Sequence, residues 1–230
     1  MEAIVLAGGF GTRLRKVVPD VPKPMAPIGG RPFLEYVLVS LAKKGFRRVV
    51  LSLGYKADLV VAYFGDIFAG MELEYEVESS PLGTGGGVRQ ALRRCVSDHV
   101  FVLNGDTFLD LEASAIEAHW CERRVPIIVA REVPDAARYG RLDVVDGRVC
   151  GFLEKGRVGP GLINAGCYVL PQNILDEFDT VVAFSLETDF LTHAVVRQRF
   201  DVFVTQGHFI DIGVPEDYAR AQAELPGICV

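Results

Sequence analysis

An α/β/α sandwich built on a predominantly parallel, mixed sheet is the fold class this sequence predicts, and three observations predict it. Short β-branched runs recur between segments with helical spacing. These runs are nearly continuous in apolarity, as strands buried on both faces require. The alternation changes style only past Arg131, where a hairpin signal appears.

Taken in order, Ala3 to Leu6 reads as a first strand ending in a glycine-rich turn. Pro32 to Lys44 follows as a helix, with proline near its first position and Gly45 past its end. Val49 to Leu53 and Leu73 to Val77 are strands flanking a helix at Lys56 to Phe64. Gly85 to Arg94 (helix), Val100 to Leu103 (strand), Leu111 to Arg124 (helix) and Pro126 to Ala130 (strand) continue the pattern. Such alternation implies βαβ crossovers and parallel pairing. Arg141 to Val145 and Arg148 to Leu153 then read as a hairpin closed by Asp146-Gly147. Gly161 to Leu170, Val202 to Thr205 and Phe209 to Ile212 give further strands, with helices near Leu186 to Arg197 and Pro215 to Glu224. With no repeat, low-complexity tract or Pro/Ser-rich linker, residues 1–230 are expected to form a single domain, its halves meeting near residue 130 and sharing one sheet.

A chain of 230 residues with 50% hydrophobic content can bury a full core. The formal net charge of -6 should repel a phosphate polymer, so nucleic acid is not expected as a partner. Small phosphorylated ligands need only local cations, and Arg13, Arg15, Lys16 and Lys23 cluster early. Cys95, Cys121, Cys150, Cys167 and Cys229 are odd in number and widely spaced, without a CxxC pair, and read as reduced thiols, most of them in apolar stretches where a free Cys packs as a small hydrophobe. The N-terminus has no basic region and no apolar run approaches the ~20 residues that span a bilayer. No membrane is therefore expected as a partner, and a cytoplasmic location is. The sequence leaves homo-oligomerisation open.

Leu6-Ala7-Gly8-Gly9-Phe10-Gly11-Thr12-Arg13-Leu14 follows the first strand directly. Its glycines let backbone N–H groups approach a phosphate, although such a turn is as often only structural. It is not a Walker A loop, because no Gly-Lys-Ser/Thr follows, and it lacks the third glycine of a dinucleotide fingerprint, which disfavours a dehydrogenase. Pro22-Lys23-Pro24 stiffens the backbone on both sides of one lysine. Arg13 and Lys23 together could neutralise a triphosphate and a pyrophosphate leaving group.

Further on, Glu78 to Gly87 is a turn-rich segment whose backbone and Thr84 can face a base and ribose. A carboxylate only accepts, and guanine presents adjacent N1–H and N2–H₂ donors, so Glu78 suits guanine better than uracil. Asp106, in Asn104-Gly105-Asp106-Thr107, lies just past a buried strand at the edge of the expected cleft, and Asp211 offers a second carboxylate on another short strand. Two carboxylates with phosphate oxygens make an Mg²⁺ site. Asn164 beside Gly166 in an apolar strand points to close approach of a ligand. Taken singly, an Asp at a strand end is more often a cap, and Glu154-Lys155 a solvated pair.

The order LAGGFGTRL, PKPMAPI, PLGTGG, NGDT, EK, NAGCY and IDIGVPEDY resembles the sugar-1-phosphate nucleotidyltransferases over nearly the whole chain. Within them the resemblance is strongest to guanylyltransferases acting on D-glycero-α-D-manno-heptose 1-phosphate, with mannose-1-phosphate guanylyltransferases and N-acetylmuramate 1-phosphate uridylyltransferases as neighbours. The resemblance implies a Rossmann-like, GT-A-like architecture, with a nucleotide-binding half to about residue 130 and a sugar-phosphate half after it. It implies GTP and a sugar 1-phosphate as substrates, Mg²⁺ as cofactor, and Asp106 and Asp211 as its ligands. Arg13, Lys23, Asp106 and Lys155 would be catalytic. Leu6, Ala7, Gly8, Gly9, Gly11, Thr12, Arg13, Lys23, Glu78, Pro81, Gly83 and Thr84 would hold the nucleotide. Asn104, Gly140, Glu154, Lys155 and Asn164 would hold the sugar phosphate. A non-catalytic nucleotide-sugar sensor is the reading from another class, and retention of Arg13, Lys23, Asp106 and Asp211 argues against it.

Overall fold

The computed structural model describes residues 1–9, 18, 21–153, 156, 158–179 and 182–228. In chain order it contains β1 (Glu2–Leu6), β2 (Pro27–Ile28), β3 (Arg31–Pro32), α1 (Phe33–Lys43), β4 (Arg48–Leu53), α2 (Ala57–Phe64), β5 (Ile67–Phe68) and β6 (Met71–Val77). There follow α3 (Gly83–Leu92), β7 (His99–Asn104), β8 (Thr107–Leu109), α4 (Ala113–Arg123), β9 (Ile127–Val133), β10 (Arg141–Val145), β11 (Arg148–Leu153) and β12 (Gly161–Pro171). A π-helical stretch, Leu186–Leu191, leads into α5 (Thr192–Arg197), and β13 (Asp201–Thr205), β14 (Phe209–Asp211) and α6 (Pro215–Ile228) complete the order.

Ten strands form one sheet in the order β10-β11-β13-β9-β12-β7-β1-β4-β6-β5. β7, β1, β4 and β6 pair in parallel, as do β9 and β13. β12 runs antiparallel between β7 and β9, so a strand from late in the chain joins the two parallel groups. Its first residues also pair with β10, through Ile163 and Arg141, which folds the β9–β13 end of the sheet back on itself.

Strand periodicity sorts the core into two layers. Ala3, Val5, Val49, Leu51, Phe101, Leu103, Ile127 and Val129 face one cluster with α1, α2, α4 and α6. Their alternates Ile4, Val50, Val100, Val102, Ile128 and Ala130 face the other, with α3 and α5. Each Val, Leu, Ile or Phe side chain so buried contributes about 1.5–3 kcal/mol. The α/β sandwich on a mixed, parallel-containing sheet is thus the fold found. The hairpin is as read, with Asp146 at φ 49° and Gly147 at φ 72°, the positive pair a two-residue type I′ turn needs.

Four local differences from the sequence reading matter. α3 starts at Gly83, so Thr84 and the glycines after it lie inside its first turns rather than in a loop. The expected helix from Leu186 is π-helical until Leu191. β14 leaves the main sheet and pairs with β8 in a separate ribbon. β12 lies between β7 and β9, a position no local pattern announces. Cys95 and Cys167 are buried, which pushes the Cys95 thiol up to about 12 and the Cys167 thiol higher still. Cys229 lies outside the described residues. Among these residues no helix is long and apolar enough to cross a membrane.

Candidate active site

Parallel register brings the C-terminal ends of three strands side by side, with Leu6 opposite Ser52 on one flank and Asn104 on the other. The turn after β1 is held by Ala7 N donating to Ser52 O and by Gly105 N donating to Leu6 O, at 2.8 and 2.9 Å. A Cβ on Gly54 would stand 2.7 Å from Gly8 O, and one on Gly105 2.6 Å from Leu6 O, so both neighbours of the turn must be glycine. Gly8 and Gly9 follow, half-buried and exposed. Gly11, Thr12 and Arg13 lie outside the described residues.

Beyond these ends Lys23 Nζ contacts Asp106 Oδ2 at 2.6 Å, with the lysine side chain only 10% exposed. Lys23 opens a single 3₁₀ turn, Lys23–Met25, between buried Pro22 and Pro24. The β8–β14 ribbon sets Asp211 opposite Thr107, one residue from Asp106, and Ile212 N donates to Asp106 O at 3.0 Å. Gly213 N donates to Asp211 Oδ1 at 2.7 Å, and a Cβ on Gly213 would stand 2.9 Å from that oxygen. Burial foremost, then the Asp106 charge, raises the Asp211 carboxyl above its ordinary range, with Lys23 and the Gly213 N–H opposing. Among the described residues no group of three or more His, Cys, Asp or Glu side chains is placed to hold a metal ion, and Asp106 and Asp211 are the two carboxylates that meet Lys23 here.

On the nucleotide side, Glu78 Oε2 accepts from Leu82 N at 3.1 Å. Its Oε1 lies between Gly8 and Gly87: a Cβ on either would come within 3.6 and 2.8 Å of it. Burial raises the Glu78 carboxyl, the Leu82 N–H opposes, and Glu76 adds to the rise. Pro81 and Gly83 are exposed at the mouth of α3, Gly83 at φ +71°. Thr84 Oγ1 donates to Glu187 Oε2 and accepts from Leu186 N, both at 2.9 Å, so its hydroxyl is engaged by the π-helical segment.

On the other side, β12 bulges at Ala165 and Gly166, between Asn164 and Cys167. Gly166 takes φ +69°, and a Cβ there would stand 2.6 Å from the Asn104 amide nitrogen, so the bulge packs Gly166 against Asn104 while its N–H donates to Asn164 Oδ1. Gly140 precedes β10 on a loop tied down by Arg138 to Asp217 at 2.6 Å and by Tyr139 edge-on to Phe209. Glu154 and Lys155 lie outside the described residues.

The structure therefore gathers Leu6, Ala7, Gly8, Gly9, Lys23, Glu78, Asn104, Asp106, Asn164 and Asp211 around the strand ends, where open α/β sheets place ligands. The sequence reading missed Gly54, whose signal was its place directly after an apolar strand, like Gly8 and Gly105. It also missed Arg138 with Asp217, and Glu187, which no local pattern marks.

The family model described as Nucleotidyl transferase matches residues 2–226. The D-glycero-alpha-D-manno-heptose 1-phosphate guanylyltransferase of Aneurinibacillus thermoaerophilus is 41% identical over 98% of both chains. The enzyme of the same description from Campylobacter jejuni is 40% identical over 95% of this chain and 97% of its own. The crystal structure of HddC from Yersinia pseudotuberculosis complexed with GMP-PN superposes with a TM-score of 0.85 at 38% identity, covering 97% of this chain and 98% of that one. With strand ends, paired aspartates and lysine arranged as above and the match running almost from end to end, the chain belongs to the nucleotidyl transferase family.

Proposed function

We propose that the protein transfers GMP from GTP to D-glycero-α-D-manno-heptose 1-phosphate, forming GDP-heptose and pyrophosphate. The observation that carries the reading is the convergence of Lys23, Asp106 and Asp211 at the strand ends, between Glu78 on one side and Asn164 on the other. Support for the heptose comes from the two full-length relatives of that description.

A phosphate oxygen of the sugar phosphate attacks the α-phosphorus of GTP in line. The new P–O bond forms as the bond to the bridging β-oxygen breaks, and its electron pair leaves with pyrophosphate. The acceptor is already ionised at neutral pH and needs no general base, so catalysis consists of positioning and charge neutralisation. Arg13 and Lys23 neutralise the departing phosphates, and Lys155 neutralises the acceptor. Glu78 accepts from guanine N1–H and N2–H₂, and Leu6, Ala7, Gly8, Gly9, Gly11, Thr12, Pro81, Gly83 and Thr84 are the other residues assigned to the nucleotide. Asn104, Asn164 and Glu154 take sugar hydroxyls, and the Gly140 N–H orients the acceptor. On this reading residues to about 130 serve the nucleotide and residues 131–230 the sugar phosphate.

The residues fit Mg²⁺. Asp211 is raised by burial and by Asp106, a penalty that a divalent cation shared by the two carboxylates would remove. Asp106 and Asp211 would hold the ion, which when bound neutralises phosphate charge as a Lewis acid. The product's activated heptose suits a glycosyl-transfer step towards a surface polysaccharide, in the cytoplasm where GTP is formed.

Pyrophosphate release measured for four nucleoside triphosphates against heptose, mannose, glucose and N-acetylmuramate 1-phosphates tests the reading. GTP with the heptose phosphate should be fastest, with mannose 1-phosphate slower. Glu78→Gln should erode the preference for GTP by roughly ten- to a hundredfold, the cost of mispairing in a dry pocket. Preference for UTP would overturn the assignment of the base, and preference for mannose 1-phosphate that of the sugar.

A further inference from the structure

One carboxylate touches both sides of the site. Glu187 Oε2 accepts from Thr84 Oγ1 at 2.9 Å and from Ser185 Oγ at 3.3 Å, at the first turn of α3. Glu187 Oε1 accepts from Tyr168 Oη at 3.3 Å. Tyr168 is fully buried in β12, and its oxygen in turn accepts from Asn164 Nδ2 at 2.7 Å. Asn164 Oδ1 accepts from Gly166 N at 3.0 Å.

The direction of this chain is forced. A carboxylate has no proton to give, so the single O–H of Tyr168 must point to Glu187. The phenol oxygen then has only lone pairs left for Asn164, which must present its NH₂ group to Tyr168 and its carbonyl oxygen to Gly166. Gly166 N can only donate and so holds the oxygen end of the Asn164 amide; without an acceptor at position 187 the phenol O–H is free to turn toward Asn164, and the NH₂ end loses its acceptor.

We propose that Glu187 is a positioning residue shared by the two substrate pockets: through Tyr168 it anchors the NH₂ end of the Asn164 amide, whose oxygen end Gly166 holds, and through Thr84 it holds the first turn of α3 for the nucleotide. The inference rests on the proposed function, which places Asn164 on the acceptor.

Steady-state kinetics of Tyr168→Phe and Glu187→Gln, with each substrate varied in turn, test it. Y168F deletes only the arm to Asn164, and should raise KM for the heptose phosphate roughly three- to tenfold while leaving KM for GTP unchanged. E187Q puts a donor where only an acceptor fits, and should raise both. The double variant should be no worse for the sugar phosphate than E187Q alone, because both changes cut one path. If E187Q does not fold, Thr84→Ala reads the other arm, with a higher KM for GTP alone. Equal effects of Y168F on both substrates, or on neither, would overturn the role of Glu187. Wild-type protein without turnover on any substrate pair would instead overturn the proposed function.

Discussion

Asp211 shows how a buried carboxylate can work against the fold that carries it. Its carboxyl is raised by burial first and by Asp106 second, so its charged form is disfavoured in the folded protein. For a raised carboxyl, the cost is absent below the ordinary value of 3.8 and grows as pH rises through the folded value. Asp211→Asn in EDTA should therefore melt at or above the wild-type temperature at pH 7, with the gap closing as pH falls toward 3.8. Its turnover in Mg²⁺ should drop at least about a hundredfold, the scale set by losing one preorganised electrostatic contact. Melting curves across pH beside a pyrophosphate assay would check both halves, and a variant less stable than wild type at every pH would contradict the first. Asp201 behaves in the opposite sense: burial would raise it, but His119, Arg199 and Arg123 together lower it, so its ionised form supports the fold.

Among the elements, α3 depends most on missing side chains. Helix propensity alone favours alanine over glycine by about 1 kcal/mol. At Gly85, however, a Cβ would fall within the ring of Phe184, which stacks on Phe178 at 4.5 Å, and Gly85 N donates to Phe184 O. Packing should win, and Gly85→Ala is expected to cost about 1–3 kcal/mol net, as overpacking does. Gly105→Ala should behave alike, since the atom in its way is backbone. Gly227 in α6 has nothing within 4 Å of a Cβ, so Gly227→Ala should be neutral or gain up to about 1 kcal/mol. Urea midpoints of the three variants measure this contrast, and a G85A protein as stable as G227A would refute the packing argument.

At the scale of the whole molecule, β12 is the seam. It pairs with β7 through His99 to Leu103 and with β9 through Ile127 to Val133. A fragment of residues 1–130 would leave β7 with an open apolar edge, and lose the Tyr168 and Leu170 side chains that cover Val100 and Val102. That fragment should not fold, whereas the full chain should unfold in one cooperative step. Circular dichroism melts of both would decide, and a fragment melting cooperatively on its own would show that the seam is dispensable.

By itself the sequence determined the local pieces. The β-branched runs made strands, Pro32 and Gly45 bounded α1, Asp146-Gly147 made its turn, and Pro22 and Pro24 set Lys23 in a 3₁₀ turn. Each of these is set within a few residues by sterics and side-chain periodicity. The motifs also named most of the residues that the fold gathers at the strand ends, because strand-end glycines, Asp106 and Asn164 stand beside strands that can be read directly. Only the tertiary structure decided that β12 lies between β7 and β9, that β14 pairs with β8, that the first turn of α3 absorbs Thr84, and that Glu187 joins Thr84 to Tyr168. Lys23 and Asp106 stand 83 residues apart, and Thr84 and Glu187 103 apart. Contacts at such separations follow from the summed packing of both core layers, which no window of neighbouring residues contains.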